Sequence, residues 1–134
     1  MNAKTAAQTL SKGSARVTPE TLMALSRSGY IGTQDLEGES WSYKSGEIAL
    51  VLRIMTSYKA SPTEAARLFR FEKVVAILQA EDFEADTQYA TLQRELQGLQ
   101  EQLGKSGNKE LRRRVNHIRS QFSGSAARVL QLAG

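Results

Sequence analysis

The sequence predicts a mainly α-helical protein with one short β-hairpin and a C-terminal antiparallel helical hairpin or coiled coil. Three observations lead to this fold class. The chain has two prolines and 7% aromatic residues among many Ala, Leu, Gln and Glu, which favours helices over strands. Glycines and alternating aromatic residues mark one hairpin at residues 29–44. Two apolar stripes with helical spacing fill the last third of the chain.

Length and composition limit the classes of function. A chain of 134 residues that is 40% hydrophobic and 24% charged is expected to form one globular domain with one appended element. It has no cysteine, which excludes disulfides, Cys-based zinc sites and a thiol nucleophile, and its single histidine, His117, excludes a His-rich metal site. We therefore expect a non-enzymatic protein with no catalytic residues, no bound metal and no cofactor.

The sequence does not predict a signal peptide or a membrane span. The first ten residues lack an apolar stretch, and no run approaches the roughly 20 apolar residues that cross a bilayer. We therefore expect a cytoplasmic protein with no membrane partner. Its net charge of +4 and pI near 9.6 permit a nucleic-acid partner.

The N-terminal part is expected to contain one weak helix and one well-marked helix. Residues 1–16 are small and polar, so they are predicted to be flexible or weakly helical, with a turn or two of helix at residues 6–10. Thr18 is a suitable N-cap and Pro19 a suitable first helical residue. A short helix is therefore predicted to begin there and to end at Gly29.

The predicted hairpin and the helix after it follow directly. Trp41 and Tyr43 alternate on one arm of the hairpin, and Ile31 is expected on the other arm. A strongly apolar helix is predicted to begin at Lys44 or Ser45, because aliphatic residues follow at helical spacing.

The segment after residue 60 has two interpretations. Ser61 and Glu64 match a capping box at the start of a helix. Either one continuous core helix follows, or residues 63–69 and 72–79 are the two helices of a helix-turn-helix. We favour the continuous helix, because no glycine or polar turn interrupts residues 69–71.

Two apolar quartets in the last third predict an assembly element. Their members recur at steps of 4, 3 and 4, which places each quartet on a stripe as narrow as a coiled-coil seam. The quartets are Leu92, Leu96, Leu99 and Leu103, and Leu111, Val115, Ile118 and Phe122. A break with two glycines at residues 104–108 allows the second helix to fold back on the first. These eight residues are the candidate oligomerisation residues of a homodimer, although the hairpin could also close within one chain.

The two arms of this hairpin carry opposite charge. Residues 80–103 have one basic and six acidic side chains, whereas residues 104–134 have seven basic and one acidic. This complementarity favours closure of the hairpin, or its pairing with a second copy. We therefore predict an N-terminal segment over 1–16, a helical domain over 17–80 and an assembly element over 81–134.

Three stretches of the first 72 residues carry a family resemblance. Residues 17–22 read Val-Thr-Pro-Glu-Thr-Leu, residues 41–48 read Trp-Ser-Tyr-Lys-Ser-Gly-Glu-Ile, and residues 61–68 read Ser-Pro-Thr-Glu-Ala-Ala-Arg-Leu. In order and spacing they resemble the MerR family of winged-helix transcription regulators, over residues 14–72. The resemblance implies a winged-helix-like domain that binds double-stranded DNA.

The same resemblance indicates which residues would contact DNA. They are Thr18, Thr21, Arg27 and Lys44. Two stretches depart from the family pattern. Residues 23–25 read Met-Ala-Leu where the family has an Arg-Tyr-Tyr-like stretch, and the wing carries Asp35, Glu37 and Glu39, which repel phosphates.

A second candidate DNA surface lies in the basic arm. Its residues are Arg112, Arg113, Arg114 and Arg119. Such a cluster could lie along phosphates, or it could bind an acidic protein partner. Alternatively, these arginines pair with acidic residues before the break, namely Glu81, Asp82, Glu84, Asp86 and Glu95.

Two hypotheses of function follow from these observations. The first is a non-enzymatic DNA-binding regulator or accessory factor, dimeric through the C-terminal hairpin. The second is a helical adaptor, assembly or inhibitor protein that binds protein and not DNA, of the kind that phages and plasmids encode. We favour the first.

Overall fold

The computed structural model describes residues 1–13, 15–35, 40–80 and 86–121. Within these residues the prediction of a mainly helical fold with one short antiparallel β-hairpin is confirmed. The elements in chain order are α1 (Ala3–Leu10), α2 (Pro19–Arg27), β1 (Thr33–Gln34), β2 (Trp41–Ser42), α3 (Ser45–Tyr58), α4 (Pro62–Ala80), α5 (Asp86–Gly104) and α6 (Lys109–Ser120).

The chain divides into two compact units. The first unit is Met1–Phe69 and the second is Arg70–Gly134. The boundary falls inside α4, whose residues 62–69 belong to the first unit. The predicted division into 1–16, 17–80 and 81–134 stays a prediction.

The first unit begins with a capped helix that packs against two others. The side chain of Asn2 accepts a hydrogen bond of 2.8 Å from the Thr5 amide, so α1 begins three residues earlier than the helical turns expected at residues 6–10. Ala6, Ala7 and Leu10 are buried, and α1 contacts both α2 and α3.

Local capping signals fix both ends of α2. Thr18 is the N-cap and accepts a hydrogen bond of 3.1 Å from the Thr21 amide, and Pro19 is the first helical residue, as predicted. The helix ends before Gly29, whose φ of 84° lies in the left-handed region. The Tyr30 amide then donates to the Leu25 carbonyl oxygen across the end of the helix.

The hairpin is shorter than expected, and Ile31 lies outside it. Thr33 pairs with Ser42 and Gln34 with Trp41. Gly32 has a φ of 86°, and a Cβ added there would lie 2.7 Å from the Tyr43 ring. This turn separates Ile31 from β1, so the prediction that Ile31 belongs to a strand arm was wrong, and the residue is buried instead.

The helix α4 is continuous, which decides between the two interpretations of this segment. It begins after Ser61, whose hydroxyl accepts a hydrogen bond of 3.1 Å from the Glu64 amide, and it runs without a break to Ala80. The alternative helix-turn-helix of residues 63–69 and 72–79 was therefore wrong. The buried residues Phe71, Val74, Val75 and Leu78 keep helical spacing past residue 69, so the apolar stripe continues where a turn would have been needed.

In the second unit, α5 and α6 form the predicted helical hairpin. They contact each other, and residues 105–108 join them. Asn108 caps α6 by accepting a hydrogen bond of 3.1 Å from the Leu111 amide. No helix of the described residues is long and apolar enough to cross a membrane.

Candidate nucleic-acid interface

A groove lies between α1 and the start of α2 in the first unit. It has a volume of about 620 Å³ and opens to solvent. We call it the α1–α2 groove, and its lining residues are Lys4, Ala7, Gln8, Ser11, Arg16, Val17, Thr18 and Pro19. It thus combines two cationic side chains with an apolar floor and the N-terminal end of α2.

Ser11 fixes the loop that forms one wall of this groove. Its hydroxyl oxygen accepts a hydrogen bond of 2.9 Å from the Val17 amide, and it lies 2.8 Å from the Ala7 carbonyl oxygen and 3.0 Å from the Val17 carbonyl oxygen. Because a serine has one proton, it donates to one of these two carbonyls at a time. The hydroxyl therefore ties Val17 to the end of α1 and sets the positions of Arg16 and Thr18 on either side.

Lys4 and Arg16 are both exposed, and neither has a partner among the described residues. Neither side chain makes a hydrogen bond or ion pair in the part of the chain that the structure describes. The same holds for the side chain of Gln8, which also lines the groove. These donors are therefore available to an anionic group.

The predicted contacts at the start of α2 lie next to the groove. Thr18 and Thr21 are exposed, and their hydroxyl oxygens are 2.9 Å apart. Glu20, in the same first turn, is also exposed and adds one negative charge at this end of the helix. Thr18 already serves as the N-cap, so its hydroxyl has a structural role in addition to any contact with DNA.

The other two predicted contacts of the first unit lie near Tyr43. Arg27 is exposed in the last turn of α2, and Lys44 is the exposed N-cap residue of α3. Burial raises the pKa of Tyr43, whereas the Ser26 hydrogen bond and the charge of Arg27 lower it. Arg27 is thus close enough to Tyr43 for electrostatic interaction, on the side of the unit where the hairpin ends.

Most cations of the first unit lack a carboxylate partner within the described residues. They are Lys4, Lys12, Arg16, Arg27, Lys44, Arg53 and Lys59. Arg67 also has no carboxylate partner there, but its Nε donates to the Tyr30 hydroxyl at 3.3 Å and its guanidinium lies 5.8 Å from the centre of that ring.

The basic cluster of α6, in contrast, is occupied by contacts within the second unit. Arg112 donates to the Ser106 carbonyl oxygen at 2.7 Å, and Arg113 pairs with Glu110 at 3.0 Å. Arg114 pairs with Glu72 of α4 at 2.8 Å. Arg119 lies half-buried on the same helix, and His117 is exposed there.

The alternative that these arginines pair with carboxylates before the break was wrong for Glu95, the proposed partner whose side chain the structure describes. Glu95 binds Arg70 of α4 through two hydrogen bonds, and Glu72 takes the place of an α5 carboxylate opposite Arg114. The reason is that α4 continues into the second unit and presents its own charges to α5 and α6. Glu81, Asp82, Glu84 and the side chain of Asp86 lie outside the described residues, as do Glu37 and Glu39 of the wing.

The seam residues are buried within a single chain. Leu92, Leu96, Leu99, Leu103, Leu111, Val115 and Ile118 are all buried, whereas Phe122 lies outside the described residues. Their role in oligomerisation stays a prediction. A second copy could use the same side chains only after the closed hairpin had opened.

Sequence reasoning missed the α1–α2 groove. Lys4 and Arg16 are twelve positions apart in a segment that was expected to be weakly ordered, and no local pattern joins them. The one available signal was Ser11, a residue type that often bonds nearby backbone, at the end of the apolar positions of α1. Among the described residues, no group of three or more His, Cys, Asp or Glu could hold a metal ion.

Comparison of the chain with protein-family models, curated proteins and solved structures finds no match. The resemblance to MerR-type regulators therefore stays a hypothesis, and it rests on the three stretches of sequence described above.

Proposed function

We propose that this protein is a non-enzymatic DNA-binding regulator or accessory factor that binds double-stranded DNA through its first unit. The order of α1, α2, a short hairpin, α3 and α4 supports this function, because it is the order expected for the winged-helix-like domain. The contact between α1 and α2 supports it as well, since these would be the two helices of the helix-turn-helix.

The observation that carries the proposal is the set of first-unit cations that have no carboxylate partner among the described residues. A cation that already pairs with a carboxylate must give up that carboxylate to bind a phosphate. It therefore adds little to the free energy of binding. An unpaired cation keeps its full attraction and contributes to the release of counterions from DNA. Lys4 and Arg16 have this property, whereas Arg113 and Arg114 of α6 do not.

The exposed face of α2 suggests that phosphate contacts dominate this binding. The exposed residues on it include Thr21, Ala24 and Arg27. Of these, Arg27 has the side chain best suited to bidentate recognition of a guanine edge. Contacts to the backbone position a protein but do not read sequence, so we expect modest discrimination between DNA sequences.

The experiment is a fluorescence-anisotropy titration with random-sequence duplex DNA at low and at physiological salt. The mass of the protein is first fixed by light scattering, which also tests the predicted homodimer. Binding that weakens steeply with salt supports the proposal. No binding at low salt overturns it, and a pull-down for protein partners, including acidic ones, then tests the adaptor hypothesis.

A further inference from the structure

We infer that the α1–α2 groove holds a backbone phosphate of duplex DNA between Lys4 and Arg16. This inference rests on the proposed function and names the part of the first unit that carries the electrostatic contact. It moves the main phosphate contact away from the α6 arginines that the sequence pointed to.

The first argument is the convergence of two unpaired cations on one concave surface. Lys4 comes from the first turn of α1 and Arg16 from the loop before α2, and both line the groove. No described carboxylate pairs with either of them. A cleft lined by charge of one sign concentrates the potential within it, so an anionic group is attracted there more strongly than to a flat surface.

The second argument is that the wall of the groove is already ordered. The Ser11 hydroxyl accepts from the Val17 amide, and its proton goes to the carbonyl oxygen of either Ala7 or Val17. A Cβ added at Gly13 would meet Leu52 and Met55 of α3 at 3.1 and 3.3 Å, so this part of the loop is packed against the core. Less conformational entropy is lost on binding when Val17, the residue after Arg16, is held in place in advance.

The third argument concerns the occupant. The groove is not enclosed, which suits a group presented on the surface of a large molecule better than a small ligand that must be surrounded. Its apolar residues Ala7, Val17 and Pro19 offer contact to a sugar, while the two cations and the Gln8 amide offer hydrogen bonds to phosphate oxygens. A backbone phosphate of DNA matches both properties.

The test compares variants of the full chain in the same DNA titration, over a series of salt concentrations. The double variant Lys4→Gln with Arg16→Gln removes both groove cations and keeps polar side chains of similar length. We expect weaker binding and a plot of log K against log salt that is shallower by about one unit, since the one phosphate held between the two cations contributes about 0.9.

Two matched variants control for net charge and for the α6 surface. Arg53→Gln with Arg94→Gln removes the same charge from exposed positions of α3 and α5 that have no partner among the described residues, and we expect the slope to stay near that of the wild type. The second control is a triple variant of α6. We expect its slope to stay near that of the wild type, and its substitutions are Arg112→Ala, Arg113→Ala and Arg114→Ala. Thermal melts by circular dichroism confirm that each variant is folded.

The outcomes separate the inference from the proposed function. Binding by the wild type with an unchanged slope in the groove variant overturns the inference alone, as does an equal loss in the Arg53 and Arg94 control. No binding by the wild type, together with capture of an acidic protein that depends on Lys4 and Arg16, overturns both the DNA assignment and the proposed function.

Discussion

The hydroxyl oxygen of Ser26 lies 2.7 Å from that of Tyr43 in the interior of the first unit. Each residue is only 2% exposed, and the pair joins α2 to the residue that follows β2. The Ser26 hydroxyl also lies 3.0 Å from the Leu22 carbonyl oxygen, which can only accept. Either hydroxyl can donate in the bond between them, and Tyr43 is the donor whenever Ser26 donates its single proton to Leu22.

This arrangement predicts unequal effects of removing the two partners. Ser26→Ala leaves the buried Tyr43 hydroxyl without its Ser26 partner, so we expect a loss of about 1–3 kcal/mol in the free energy of unfolding. Tyr43→Phe leaves Ser26 bonded to Leu22 and should cost about 1 kcal/mol or less. Urea denaturation of both single variants and the double variant measures the difference. Equal losses in the two single variants would contradict this prediction.

Tyr43 also predicts how stability depends on alkaline pH. Burial raises its pKa above the ordinary value of 10.0, against smaller lowering effects of Ser26 and Arg27. Above pH 10 the unfolded chain loses this proton while the folded chain retains it, so the unfolded state is favoured as pH rises from 10 to the folded-state pKa. We expect the wild type to lose stability more steeply in this range than Tyr43→Phe, with Tyr58→Phe as the control for loss of a tyrosine. Parallel stability curves for wild type and Tyr43→Phe would refute the prediction.

The ion pair between Arg70 and Glu95 predicts a measurable coupling within the second unit. The side chains are 21% and 29% exposed and meet through two hydrogen bonds, so water screens them only in part. A double-mutant cycle to alanine should give a coupling of about 1 kcal/mol. The pair of Lys105 with Glu101 is the control, and it should give no measurable coupling because its side chains are 76% and 69% exposed.

Gln100 predicts a stabilising substitution. It is 6% exposed on α5, and no described group donates to its side-chain oxygen. A buried acceptor without a donor costs about 1–3 kcal/mol. Gln100→Met keeps the length of the side chain and removes this oxygen, so we expect a higher denaturation midpoint with an unchanged m-value. Gln97→Met, at a half-buried position of the same helix, is the control. A lower midpoint for Gln100→Met would show that the oxygen has a partner.

The buried seam predicts that the stability of the hairpin does not depend on protein concentration. Leu96 is 0% exposed within one chain, so Leu96→Ala should cost about 2–5 kcal/mol. If the seam closes within the chain, the melting temperatures of wild type and variant stay constant over a hundredfold range of concentration. A melting temperature that rises with concentration would instead support the predicted homodimer. Thr91→Ala, exposed on the same helix, controls for loss of side-chain volume.

Elements with local signals could be predicted from the sequence. Thr18 and Pro19 at the start of α2 and Gly29 at its end act through backbone groups within a few residues, and all three were assigned correctly. The apolar stripes of α5 and α6 were equally visible, because helical spacing alone brings their members to one face.

The relationships that were missed depend on tertiary placement. Arg114 and Glu72 are 42 residues apart, and their pairing depends on the packing of α4 beside α6. The exclusion of Ile31 from the hairpin depends on the positive φ of Gly32, which glycine permits but does not require. Lys4 and Arg16 line one groove, and the Ser11 hydroxyl bonds the Val17 amide beside it, a contact that no periodic pattern reveals.

The close approach of Gly32 to the Tyr43 ring constrains how this sequence can diverge. A methyl group at position 32 would lie 2.7 Å from the ring carbon of Tyr43, on a backbone conformation that other residues rarely adopt. The two positions must therefore evolve together. In any descendant of this chain that retains the hairpin, we expect glycine at position 32 wherever position 43 is aromatic. This pair of residues could then identify distant relatives whose overall sequence identity is low.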